Sequence, residues 1–202
     1  VALIVVDPRP KHVPVLLTTL SLAATLALTP PADAKRLDPV NNPALLPSEP
    51  NVTVIDVAGF LSSGQESRLM KKIQAIEQDT GIRLRLLAQN YPDTPGLAIK
   101  DYWGVDDSTV VLVADTYLSG NMLNFNVGES VDVVVPRGFW QRVSNTFGNK
   151  FFWTENGLDR AIEKAVDAID WCVREEEGRG KCSVVYDAKD EELPLSRAVP
   201  FS

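Results

Sequence analysis

Carboxylate side chains are the groups in this 202-residue sequence that could carry chemistry, because its single histidine stands close to the amino terminus. A basic stretch ending at His12 is followed by an apolar run and an Ala-x-Ala motif, the pattern of a cleaved targeting segment. Without His12 the remaining chain has no imidazole, which excludes Ser-His-Asp triads, Cys-His pairs and HExxH zinc sites. Oxygen ligands then favour calcium or magnesium over zinc or copper.

The first group of candidate metal ligands is Asp106, Asp107 and Glu129. The two aspartates directly precede a predicted strand at 109–114, and Glu129 follows the next predicted strand. A hairpin between these strands would bring the three carboxylates, with Asp132 beside them, to one end of the sheet. Clustered carboxylates suit calcium, which takes roughly six to eight oxygen ligands.

Asp56 and Asp115 form a second candidate site. Both follow strands that we expect to be parallel, and open α/β sheets bind ligands at the carboxyl ends of their strands. For both groups of acids, the competing interpretation is that they are solvated loop residues that favour turns.

The balance of charge and the missing motifs exclude several classes of function. Lys and Arg number 20 against 27 Asp and Glu, so the net charge is −7, whereas nucleic-acid binding requires a positively charged surface. The sequence has no GxGxxG, GxxxxGK[ST] or GxSxG motif. We therefore expect no nucleic-acid partner, no nucleotide and no α/β-hydrolase nucleophile.

Hydrophobic periodicity predicts the elements that must position these residues. We expect strands at residues 52–55, 83–88, 109–114 and 121–127. We expect helices that start at Ser62 or Ser63, at Thr94-Pro95, at Pro136 and near Gly157. The strand at 83–88 alternates apolar and charged residues, which is typical of a strand with one solvated face. The order of elements predicts a right-handed βαβ unit followed by a hairpin.

The chain divides into four segments. Residues 1–34 form a targeting segment and 35–50 a Pro-rich extended linker. Residues 51–174 form one globular domain and 175–202 a polar, flexible tail. We expect processing between Ala34 and Lys35, with a retained membrane anchor as the alternative interpretation of the apolar run. Cys172 and Cys182 are expected to form a disulfide in an exported domain, and two free thiols are the alternative.

Six aromatic residues are concentrated between Phe139 and Trp153. The run 151–153 has no helical period, so one interpretation is an exposed patch that binds a partner. The other interpretation is that these aromatics pack beneath the last helix.

Several motifs in this order and spacing resemble the TPM-domain family; they are the segment 56–62, Glu77, Thr80-Gly81, Trp103-Gly104, the apolar strand from Val110 and Asn126-Val127-Gly128. The resemblance implies an α/β/α sandwich with a mixed, mainly parallel sheet of about four strands. The sequence departs from the usual family pattern at 107–109 and 128–131, where we expect loops.

The same resemblance implies a location and a function. It places the mature chain in the chloroplast thylakoid lumen, with residues 1–34 as the end of a thylakoid transit peptide. It implies an accessory protein that helps to assemble, repair or maintain a photosynthetic membrane complex, without a required cofactor. The alternative it implies is an acid phosphatase that depends on a divalent metal, calcium or magnesium, and uses only carboxylates.

Overall fold

A single four-stranded sheet forms the centre of the computed structural model, which describes residues 41–117 and 120–186. Its strands lie in the order β1-β2-β3-β4 and comprise Val54–Asp56, Arg83–Gln89, Thr109–Asp115 and Leu123–Val127. β1, β2 and β3 are parallel, and β4 is antiparallel to β3. The predicted α/β fold with a mixed, mainly parallel sheet is therefore confirmed.

Within the described ranges, six α-helices surround the sheet: α1 Ser63–Thr80, α2 Ala98–Trp103, α3 Glu129–Val134, α4 Arg137–Phe147, α5 Lys150–Asn156 and α6 Leu158–Arg174. Helices α1, α4 and α6 contribute to the larger apolar cluster on one face of the sheet. Helix α2 covers the other face, where Ile99 and Trp103 pack with Ile55, Leu87 and Val111. In the parts of the chain that the structure describes, no helix is both long and apolar enough to cross a membrane.

Helix α1 begins and ends at residues that the sequence marks clearly. The Ser62 side chain accepts a hydrogen bond from the Gln65 backbone, and the Gln65 side chain accepts one from the Ser62 backbone, which is a complete capping box. Of the two predicted registers, the structure adopts the one that starts from Ser62. Gly81 ends the helix in the left-handed conformation, which costs glycine little.

The start of one helix was predicted wrongly, and two other helices were not predicted. Helix α2 begins at Ala98 and not at Thr94, because the Thr94 hydroxyl accepts a hydrogen bond from the Gly96 backbone and closes a turn. Residues 128–131 were predicted as a loop, but 129–131 form the start of α3. Residues 151–153, which show no helical period in the sequence, belong to α5, whose start is capped by Asn149 through Phe152.

The segments that flank the domain are more ordered than the sequence suggested. Pro43–Leu45 form a 3₁₀ turn instead of an extended arm, and the Asn42 backbone donates a hydrogen bond to Thr94. Cys172 and Cys182 are joined in a disulfide, so residues 175–182 form a closed loop against α6 and not a free tail. The predicted targeting segment, including His12, Ala34 and Lys35, lies outside the described residues, as do residues 187–202.

Candidate functional site

The acidic turn before β3 is organised by the carboxylate of Asp106. Its Oδ1 accepts hydrogen bonds from the Ser108 backbone, the Ser108 hydroxyl and the Thr109 hydroxyl at 3.0, 2.7 and 2.7 Å. Its Oδ2 accepts one from the Arg83 guanidinium at 2.9 Å. The bond from Thr109, followed by those from Ser108, holds the pKa of Asp106 well below its ordinary value. This carboxylate therefore stays ionised, with both of its oxygens engaged by the protein itself.

The other predicted metal ligands lie near this turn but do not converge on one point. The Asp107 carbonyl accepts a hydrogen bond from the Ser130 backbone, which fixes the start of α3 beside the turn. Glu129 is exposed in the first turn of α3, and Asp132 pairs with Arg137 at 2.9 Å. Among the described residues, no group of three or more His, Cys, Asp or Glu side chains could hold a metal ion. The geometry thus gives no support to the proposed site at Asp106, Asp107 and Glu129.

Asp106→Asn is expected to destabilise the chain in a pH-dependent manner. The folded-state pKa of Asp106 lies below its ordinary value of 3.8, so its contribution to stability is complete above that value. The contribution is lost as the pH falls below 3.8 toward the folded-state pKa. Urea unfolding at pH values well above and well below 3.8 should show that the gap between wild type and variant narrows in acid.

Asp107→Asn is the matched control for that experiment, because Asp107 is exposed and its neighbour Asp106 accepts the hydrogen bonds of the turn. The control is expected to follow the wild type at every pH. A constant gap between wild type and Asp106→Asn across the acid range would contradict the assigned pKa shift.

The second predicted acidic pair, at the carboxyl ends of β1 and β3, is used to hold loops. Asp56 accepts hydrogen bonds from the backbones of Gly59 and Leu61 at 2.8 and 2.6 Å, which shapes the connection into α1. Asp115 is 1% exposed and accepts bonds from the Tyr117 backbone and the Gln89 side chain at 2.8 and 3.0 Å. Each carboxylate thus binds donors of its own chain, and we assign no ligand to this edge.

A row of ion pairs along β2 and α1 is the feature that the sequence interpretation missed. Arg83 pairs with Asp106, and Glu77 lies 3.7 Å from Arg83 and 2.8 Å from Arg85. Arg85 is only 4% exposed, so the prediction that this face of β2 is solvated was wrong. The signal was available in principle, because two arginines alternate with leucines directly after a helix that carries Glu77.

The aromatic segment is divided between the core and the surface. Phe139, Trp140 and Phe147 are buried, and the Phe147 and Phe152 rings meet edge to face at 5.3 Å. Phe151 on α5 is 88% exposed. The two interpretations of this segment therefore each hold for some of its residues.

The disulfide loop borders a charged cavity of about 440 Å³ between the ends of α1 and α6. Its charged lining is compensated internally, since Arg174 pairs with Asp79 at 2.6 Å and Lys181 pairs with Glu177 at 2.5 Å. The Arg142 guanidinium donates to the Cys182 carbonyl at 2.6 Å and ties the loop to α4. This arrangement serves to close the domain after α6.

The family model of the TPM domain matches residues 54–171, from the start of β1 into α6. The chain belongs to the TPM domain family. It is 55% identical over 166 residues to the thylakoid lumenal 15.0 kDa protein 2 of Arabidopsis thaliana, a chloroplastic protein, with 82% of this chain and 73% of the relative covered. The predicted location in the chloroplast thylakoid lumen is confirmed by this relative. The disulfide between Cys172 and Cys182 lies beyond the residues that match the TPM domain model.

The TPM fold also occurs in a solved structure of low sequence identity. The solution NMR structure of the N-terminal domain of a P. gingivalis protein superposes with a TM-score of 0.51 at 20% identity. The superposition covers 69% of this chain and 98% of the other. This likeness concerns the fold alone.

Proposed function

We propose that this TPM-domain protein acts in the thylakoid lumen as an accessory factor that assists the assembly, repair or maintenance of a photosynthetic membrane complex. It acts by binding and not by catalysis. The support comes from the lumenal relative and from the way in which the domain exposes an aromatic side chain.

The exposed ring of Phe151 is the observation that carries this proposal. Helix α5 holds it in place, because Asn149 caps the helix and Phe152 and Trp153 on the same helix pack against the core. An aromatic ring on a fixed helix has only about two side-chain torsions to restrict when a partner covers it, so the loss of conformational entropy is small. Phe151 is therefore suited to anchor a protein contact.

The phosphatase alternative lacks a comparable feature. A phosphate ester would need a metal or a free general acid near it, whereas Asp106 is bound by Arg83 and three hydroxyl or amide donors. We therefore do not adopt that alternative.

Phe151→Ala is expected to abolish most of the association with thylakoid membrane complexes while leaving the fold intact, since the side chain is 88% exposed. Truncation of a hot-spot aromatic residue to alanine lowers the free energy of binding by about 2 kcal/mol or more, which raises Kd roughly thirty-fold. The measurement is native separation of solubilised thylakoids from plants that express wild-type or variant chain, followed by detection of the chain in each complex.

Leu97→Ala is the control, because Leu97 is 71% exposed at the start of α2, on the opposite face of the sheet. The Leu97→Ala chain is expected to migrate with the same complex as the wild-type chain. A wild-type chain that migrates with no complex, or a Phe151→Ala chain that migrates as the wild type does, would overturn the proposal.

A further inference from the structure

Strand β4 is an edge strand with unused backbone groups. Among the described residues, it pairs with β3 on one side and with no strand on the other. The Asp115 amide donates to the Met122 carbonyl, and the Gly128 amide donates to the Thr109 carbonyl. In an antiparallel ladder bonded residues alternate, so Asn124 and Asn126 are the residues that bond to β3.

The N–H and C=O groups of Phe125 and Val127 consequently point to the open edge of the sheet. The backbone groups of Leu123 point to the same edge, and the Leu123 carbonyl accepts a hydrogen bond from the Ser144 hydroxyl at 2.6 Å. No backbone partner is found for the outward groups of Phe125 and Val127 in residues 41–117 and 120–186. These four groups repeat at the spacing of a β-ladder, which only another extended chain can match.

A groove of about 290 Å³ runs between this edge and α4. Its lining consists of polar uncharged and aromatic or aliphatic residues, namely Gly120, Asn121, Leu123, Asn124, Phe125, Trp140, Gln141 and Ser144. Asparagine and glutamine side chains carry both donors and acceptors, and so does the backbone of a peptide. The rings of Trp140 and Phe125 pack against each other at a centroid distance of 5.3 Å, so both sides of the groove are held in place.

Two of the devices that usually prevent strand pairing are missing from β4 itself. Exposed edges are commonly protected by charged residues or proline, whereas β4 reads LNFNV and contains neither. The groove carries no charge although the chain has a net charge of −7. The lining therefore does not repel or attract ions, and it suits an uncharged segment.

We propose that the groove between β4 and α4 binds an extended, uncharged segment of a partner protein, which adds to the sheet as a fifth strand. Its backbone bonds to the outward groups of Phe125 and Val127, and its side chains enter the groove beside Gln141. A second copy paired through its own β4 edge is the competing occupant, and its protection of the edge would rise with protein concentration alone. The proposal concerns a surface other than Phe151 and is independent of the accessory role.

Amide hydrogen exchange of the full chain tests this proposal directly. The probe is a short uncharged peptide selected from a random displayed library on the immobilised wild-type protein. Before it is added, the amides of Asn124 and Asn126 should exchange slowly and those of Phe125 and Val127 quickly. Saturation with the peptide should slow exchange at Phe125 and Val127, because a new ladder protects them.

A matched pair of charge variants provides the second readout. Gln141→Lys places a charge in the groove and is expected to weaken peptide binding by at least about ten-fold, because the bound peptide would cover that charge without supplying a partner. Gln74→Lys makes the same change at an exposed position of α1 and should bind as the wild type does. Three results would overturn the proposal: no selected binder, a bound peptide that leaves Phe125 and Val127 unprotected, or protection that rises with protein concentration alone and so identifies a second copy.

Discussion

The Glu77→Leu variant is expected to lose about 3 kcal/mol of unfolding free energy, because it leaves the buried guanidinium of Arg85 without its ionic partner. Arg85 is 4% exposed, and its Nη1 donates to Glu77 Oε2 at 2.8 Å. Removal of one partner from a buried ion pair costs about 3–5 kcal/mol. The lower end of that range applies here, since the Glu77 side chain is 35% exposed and water reaches it. Urea unfolding followed by circular dichroism measures the loss.

Two further variants separate the buried charge from other causes. Asp79→Leu removes another acid from α1, but its partner Arg174 is 39% exposed and keeps a bond to Asp170, so the loss should stay below about 1 kcal/mol. Adding Arg85→Met to Glu77→Leu removes both charges and should restore most of the stability. A double variant as unstable as Glu77→Leu alone would show that the loss arises from packing and not from the unpaired charge.

Much of the fold could be predicted because its signals are local. The capping box at Ser62 sets the start of α1, and the apolar run at 109–114 identifies a strand buried between two neighbours. Helices α3 and α5 were missed because six or seven residues are too few to show a period. The start of α3 also depends on the bond from Ser130 to Asp107, which joins residues far apart in sequence.

The chemistry of the acidic turn could not be predicted in the same way. The sequence places Asp106 and Asp107 together, but it does not show that Arg83 reaches Asp106. That approach follows from the parallel register of β2 and β3, in which Arg83 is opposite Thr109. Register depends on the packing of whole strands, so a cation from one strand can occupy the position that the sequence suggested for a metal ion.

Gly128→Ala is the second substitution with a large expected effect, and it acts through the same turn. A Cβ on Gly128 would overlap the carbonyl of Asp107 and lie 2.9 Å from the carbonyl oxygen of Asp106. The residue has a φ of −71°, which alanine adopts freely, so the cost comes from the clash and not from the backbone conformation. We expect a loss of about 3 kcal/mol, near the upper end for overpacking, because backbone atoms cannot move aside as a side chain can.

Gly64→Ala tests whether the clash is the cause. Gly64 lies in the first turn of α1, where the nearest atom to a new Cβ is the flexible Arg68 side chain at 3.7 Å. This control should be neutral or gain up to about 0.5 kcal/mol, since alanine favours helix. The thermal and urea midpoints should therefore fall for Gly128→Ala and stay constant or rise for Gly64→Ala. A Gly128→Ala variant as stable as the wild type would show that the backbone at Asp107 can move to make room for a Cβ. The close packing of Gly128 against the Asp107 carbonyl would then not be required by the fold.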